Sequence, residues 1–301
     1  MRTEFSRDIF TIPKYIYFVV TLALVVVFQV GLCSLWAGEY IGSALSLSKT
    51  IELALDYNSQ RRVNKKNLPP EDVIFLVKKY YYQIQTQVDQ LDTAEEVREH
   101  FQKAVDKSEE IFEEGEENVS QSDITKLKLG LSDTLNDIIS LKHAIQIARL
   151  NLGALIDKEL KPGSDIVKTE IMPVPFSYSS FDVYLEAKNL SPSPRKIEGV
   201  GVASRKIFVK VGEEDRLTLH KAFIAAKEAT AKVTLGKKNR KITRALLVAE
   251  VANYDFGIGD SQELFEALIV YTRVLVGYLD SIYTLNVAVA ELEKLTDGIY
   301  R

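Results

Sequence analysis

The sequence predicts a mainly α protein made of two repeated, long antiparallel coiled-coil helical hairpins. Three observations carry that expectation. Apolar residues recur at heptad spacing over residues 123–157, the same heptad phase returns 140 residues later, and a glycine-containing turn stands before each run. The composition agrees, since only 8 prolines and 15 glycines occur in 301 residues and Ala, Leu, Glu, Lys and Val dominate.

Taken in chain order, the first feature is an uncharged run from Tyr15 to Ala37, preceded by Arg2, Arg7 and Lys14. A basic start, an apolar stretch and Ala37 followed by Gly38 describe a secretory signal over residues 1–37. The run is also long enough, at about 20 residues, to span a bilayer uncut. A cleaved signal and a retained inner-membrane anchor, facing the periplasm, therefore both stay open, and either exports the remainder. Cys33 is the only cysteine, so no disulfide framework and no thiolate metal site exist. Its loss with a signal would suit an oxidising compartment.

The first hairpin is expected within residues 38–160. A charged helical pattern runs from Glu71 to Glu114, with apolar positions Leu76, Tyr80, Val88, Leu91, Phe101, Val105 and Phe112. Pro69 and Pro70, within the polar, basic stretch Asn58 to Asp72, suit a new helix start. The return helix has Ile124, Leu131, Ile138, Ile145 and Leu152 in one series and Leu127, Thr134, Leu141, Ala148 and Leu155 in the other. A period of 3.5 implies a left-handed supercoil against partner helices.

Residues 161–195 read as a linker. "KPGSDIVKTEIMPVPFSYSS" (Lys161 to Ser180) should cross as an extended segment, and "FSYSSFDVYL" fits a strand or a helix. Residues 196–301 hold the second hairpin. Its outgoing helix is expected from about Leu219 to Tyr254, with Phe223, Ala226, Val233, Leu246, Leu247 and Val251 as apolar positions, and the "GEEDR" before it as connection. Its return helix repeats the register with Leu264, Tyr271, Tyr278, Leu285 and Leu292, accompanied by Ala267, Val274, Ser281, Ala288 and Leu295. A fainter echo links "LSLSKTIELALDYN" (Leu45 to Asn58) with "LTLHKAFIAAKEAT" (Leu217 to Thr230), and two ordinary helix starts explain it as well.

The turns correspond. An aromatic residue stands three before a glycine in each, Phe112 with Gly115 and Tyr254 with Gly257. Cap candidates follow, Ser120 or Ser122 in one and Asp260 or Ser261 in the other. "GIGD" at Gly257 to Asp260 has no lysine where a phosphate loop needs one, and "GVGVASRK" lacks the glycine before its lysine. His100, His143 and His220 stand far apart. No catalytic constellation, metal site or cofactor is expected, so the chain is not read as an enzyme. A net charge of −4 gives no reason to expect nucleic acid.

On "LSLSKTIELALDYN", "EEGEENVSQSDITKLKLG", "NYDFGIGDSQELFEAL" and "YLDSIYTLNVAVAELEKLTDG", in that order and spacing, the chain resembles the TolC family of outer-membrane efflux proteins over most of Leu45 to Gly298. The resemblance implies a homotrimer in a Gram-negative-type envelope. Each copy would give two hairpins to a periplasmic tunnel continued by an outer-membrane β-barrel. The hairpin tips would meet a periplasmic adaptor protein serving an inner-membrane pump or ABC transporter, and would form the closing iris. Tip and partner-contact candidates are Glu113, Glu114, Gly115, Asp123, Gly257, Gly259, Asp260 and Glu263.

The chain departs from that family in one respect. A barrel strand needs about 9–11 alternating residues, and neither copy has room for a strand pair. Little or no β-barrel is therefore expected. The other reading of the same hairpins is a barrel-less periplasmic coiled-coil structural or adaptor protein that conducts nothing. Glu109, Glu110, Glu113, Glu114, Glu116 and Glu117 crowd the first tip, where symmetry would multiply them into an acidic ring. An exposed, solvated helix end accounts for them equally, and Asp123 and Glu263 suit capping as well as gating.

Overall fold

The computed structural model describes residues 45–60, 67–115, 119–161, 170–191 and 209–299. The candidate signal or anchor, "GVGVASRK", Glu116 and Glu117 lie outside the described residues. Six helices are described: α1 (Leu47–Gln60), α2 (Pro70–Glu113), α3 (Gln121–Ile156), α4 (Phe181–Ala187), α5 (Glu213–Asp255) and α6 (Ser261–Ile299). The described strands are β1 (Leu190–Ser191) and β2 (Val209–Lys210), a parallel pair with Leu190 opposite Val209. "FSYSSFDVYL" thus supplies a helix, not a strand.

The long helices have 44, 36, 43 and 39 residues, or roughly 55–65 Å each at 1.5 Å per residue. They form two antiparallel hairpins, α2–α3 and α5–α6, joined side by side through α2 and α6. The row therefore runs α3, α2, α6, α5, with α3 and α5 at its edges. The short α1 lies on α2 and α3.

Local sequence explains the helix starts. Pro70 is the first residue of α2, and Glu71 and Asp72 complement the helix dipole in its first turn. Glu213, Glu214 and Asp215 do the same for α5, with Gly212 as N-cap. "GEEDR" is therefore the first turn of a helix, not a connection, and α5 begins six residues before the expected Leu219. Leu217 to Thr230 consequently lies inside a 43-residue helix. In chain order the counterpart of α1 is α4, and Ser46 and Ser180 cap the two starts alike, each hydroxyl accepting a backbone N–H 3.3 Å away.

Burial follows the heptads where one neighbour dominates, as α2 does for α3, and widens where a helix packs broadly on several. On α3, Ile124, Leu127, Ile138, Ile145, Ala148 and Leu152 are buried. On α2 the expected stripe is out of phase over its first half. Val73, Val77, Tyr81 and Ile84 are buried, Leu76, Tyr80, Val88 and Leu91 are half-buried, and Phe112 is exposed. The cause is that α2 touches α1, α3 and α6, so no single heptad stripe describes it. Leu246 on α5 is likewise exposed while Leu247 is buried. Flanked by α2 and α5, α6 buries Leu268, Leu279 and Ile282 beyond its expected series. By length and composition α6 could cross a membrane. Its apolar residues are accounted for by its place between two helices.

The described part of the linker before α4, residues 170–178, is extended, as expected, and held by two side chains. Asp89 accepts the Ile171 N–H at 2.7 Å. Asn286 accepts the Val174 N–H at 2.8 Å and donates to the Met172 carbonyl at 2.9 Å. At and beyond its end, Phe176, Tyr178, Phe181, Tyr184 and Phe223 pack edge-on and tilted at centroid distances of 5.1–5.9 Å. Burial pushes the Tyr184 phenol up to about 12, against the opposing hydrogen bond to Thr296.

Candidate functional site at the hairpin tips

Both hairpins leave their outgoing helix in the same way. Gly115 follows α2 with φ 79° and Gly257 follows α5 with φ 72°. The Gly115 N–H donates to the Phe112 carbonyl at 3.2 Å, and the Gly257 N–H to the Tyr254 carbonyl at 3.1 Å. In the second turn Ile258 also donates to the Asn253 carbonyl at 3.0 Å, completing a Schellman motif. Left-handed φ explains glycine at 115 and 257. Gly259 has a different reason: a Cβ there would stand 2.8 Å from the Asn253 Cβ.

The return helices are capped alike. Ser120 Oγ accepts the Asp123 N–H and the Asp123 carboxylate accepts the Ser120 N–H, each at 3.2 Å, a capping box. Asp260 Oδ1 accepts the Glu263 N–H at 2.7 Å. Ser120 and Asp260 are the caps, therefore, and Ser122 and Ser261 are not. Asp123 and Glu263 each stand three residues after their cap, as the repeated register requires. The Ser120 hydroxyl bond, more than Lys126 nearby, holds the Asp123 carboxyl below the usual range.

The two tips are joined by contacts that no local pattern announces. Tyr254 is buried, donates to the Ala104 carbonyl at 3.2 Å, and lies 2.6 Å from Ser108 Oγ. Burial raises the Tyr254 phenol pKa. Lys107 Nζ donates to the Tyr254 and Asp255 carbonyls at 2.7 and 2.9 Å and stands 5.0 Å from the centre of the Tyr254 ring. The last turn of α5 has no basic residue of its own, so α2 supplies the cation that its C-terminal carbonyls favour. Tyr254→Phe should lower stability by about 1–2 kcal/mol, since buried Ser108 and Ala104 lose their partner. Guanidinium unfolding checks the value.

The charge at the tips is smaller than six glutamates. Glu109 pairs with Lys128 at 2.6 Å, which leaves Glu110, Glu113 and Glu114 exposed on the first tip among the described residues. The second tip exposes Asp255, Asp260 and Glu263. It also exposes Phe256 and Ile258, at 80% and 78%, which the sequence reading passed over. Their signal was legible: two large apolar residues inside a turn have no helix face to occupy. All eight tip candidates thus fall at or beside the two hairpin turns, which Lys107 and Tyr254 hold together.

No protein-family model and no curated protein sequence matches the chain. Solved structures do. CusC, in crystal structures concerned with its folding and transmembrane channel formation, is 14% identical over 86% of this chain and 75% of that one, with a TM-score of 0.54. The outer-membrane channel OprN is 12% identical over 84% and 70%, with a TM-score of 0.56. The open state of the MtrE outer membrane channel of Neisseria gonorrhoeae is 11% identical over 83% and 71%, with a TM-score of 0.52. At such identities the likeness is one of fold: the chain has the helical architecture of these TolC-like channels.

Proposed function

We propose that the chain is an exported, TolC-like envelope component whose hairpins, from three copies, enclose a trans-periplasmic conduit at the outer membrane. Substrate passes without chemistry. The observation that carries this reading is a second apolar stripe on each edge helix. On α3, Leu129, Leu135, Ile139, Ile147 and Leu150 are exposed, and on α5, Leu217, Ile224, Leu235, Ile242 and Leu246 are exposed. At 3.6 residues per turn each stripe lies roughly 150° around from the buried face of its helix. Such faces call for a partner. Pairing the α3 edge of one copy with the α5 edge of the next is a head-to-tail contact, which closes into a ring when the rotation permits.

The tips then face a periplasmic adaptor, and Glu113, Glu114, Asp260 and Glu263 present it an acidic rim around Phe256 and Ile258. An inner-membrane pump or ABC transporter would drive export through that adaptor. The second reading, a periplasmic coiled-coil protein that conducts nothing, is favoured by one feature: the described strands are only two residues long. Membrane fractionation with mass determination of the native particle is the test. A trimer in the outer membrane is expected, and a soluble monomer or an inner-membrane protein would refute the conduit. Conductance in planar bilayers separates the two readings of a trimer.

A further inference from the structure

The buried apolar residues of the hairpins fall into two clusters, which partly buried Leu275 touches in common. A tip core contains Val97, Phe101, Leu127, Leu247 and Leu268. A body core contains Val77, Ile84, Leu152, Phe223 and Leu285. Between them α5 runs from Val233 to Leu247 with Thr243 as its one buried side chain. At the same level α2 buries Thr86, Gln90 and Thr93 beside Ala94.

This waist is knitted by long polar side chains. Gln90 donates to Asp280 at 2.7 Å. Tyr271 donates its hydroxyl proton to Glu96 at 3.0 Å and accepts from Arg244 at 3.2 Å. Arg240 stands 5.4 Å from the centre of the Tyr278 ring. Of the four long helices, α3 alone carries buried branched aliphatics between the cores, Ile138 and Ile145.

Thr86, Thr93, Thr243 and Thr272 each turn their hydroxyl back onto the carbonyl four residues earlier, at 2.8–3.1 Å, as Thr125, Thr230 and Thr296 also do elsewhere on the long helices. Such bonds compete with the helical ladder and bend helices. Gly277 lies exposed on α6, where a glycine weakens the helix. Packed aliphatic cores resist shear, whereas these polar pairs each join a buried group to a side chain that reaches water, Asp280, Arg244 or Glu96.

We propose that the waist is a hinge, about which the tip half of both hairpins moves as one unit against the body. The bonds from Lys107 and Ser108 to the end of α5 keep the two tips together, so the unit is the pair. The body keeps its shape through the aromatic cluster and the clamped linker. The hinge is a property of the single chain, whatever that chain assembles into.

Hydrogen exchange of the full chain, read by mass spectrometry through a series of subdenaturing guanidinium concentrations, tests it. Amides around residues 97–105 and 264–271 should share one opening, at least about tenfold more frequent than that of residues 77–84 and 285–292. Thr93→Val with Thr243→Val, which replaces hydroxyls by methyls, should bring the two groups to nearly equal rates. Gly277→Ala, which raises helix propensity at an exposed position of α6, should move them in the same direction and serves if the double variant folds poorly. A wild type whose core amides all open together overturns the hinge. Variants that leave the two groups as far apart as before overturn the waist as its cause.

Discussion

Leu235→Glu together with Ile242→Glu is expected to leave the chain folded and to keep it monomeric. Both side chains are exposed, and surface substitutions away from core features usually change stability by within about 0.5 kcal/mol. In an edge-to-edge contact, however, each carboxylate would be buried without a partner, at a cost of roughly 2 kcal/mol or more. Two of them weaken assembly by about a thousandfold, at 1.4 kcal/mol per factor of ten. Ile139→Glu with Ile147→Glu should do the same from the α3 edge.

A mixture of the two double variants then carries the decisive information. Each keeps one sound edge, so a head-to-tail contact yields dimers and nothing larger. A contact between like edges gives a different result, since each variant would keep or lose its pairing regardless of the other. Analytical ultracentrifugation distinguishes these outcomes.

Asn286→Leu is expected to cost about 2 kcal/mol, because it leaves the Val174 N–H and the Met172 carbonyl without their partner. Asn286 is almost fully buried, at 1% exposure, while Met172 is exposed and Val174 half-buried, so water recovers part of the loss. Asn286→Asp keeps the acceptor for Val174 but sets a buried carboxylate against the Met172 carbonyl, and at neutral pH should cost at least as much. Guanidinium unfolding gives the size of the effect. Limited proteolysis gives its place: cleavage near residues 172–175 should accelerate before any other site, as Ile171 and Phe176 lose their tether to the body core.

These tests also mark where the sequence was legible. Heptad phase found the two return helices, α3 and α6, because each buries a repeating stripe, and a long charged helical pattern found the two outgoing ones. The caps at Ser120 and Asp260 and the turns at Gly115 and Gly257 were readable because they satisfy backbone groups within a few residues of themselves. The acidic "GEEDR" was misjudged although three carboxylates after a glycine are a helix-start signal. The inward face of α2 was not readable from any one stripe, since three neighbours set it. Asp89 to Ile171 and Lys107 to Tyr254 join residues 82 and 147 apart, and no local pattern marks such a pair. The surplus of Leu and Ile on α3 and α5 beyond one heptad stripe was visible, and its meaning waited on knowing which helices stand at the edges.

A row of helices with unlike adhesive edges has no built-in stop. Copies add until the first meets the last, and whether they meet depends on the turn that each copy imposes. A third of a turn closes at three, a quarter at four, and an unmatched pitch gives an open helix of subunits. In the proposed assembly the stripes on α3 and α5 would set how firmly neighbours hold. The turn would depend also on how α2 lies on α6 inside each copy. A substitution buried between those two helices, far from any neighbouring chain, can therefore change the number of copies while every contact residue stays the same.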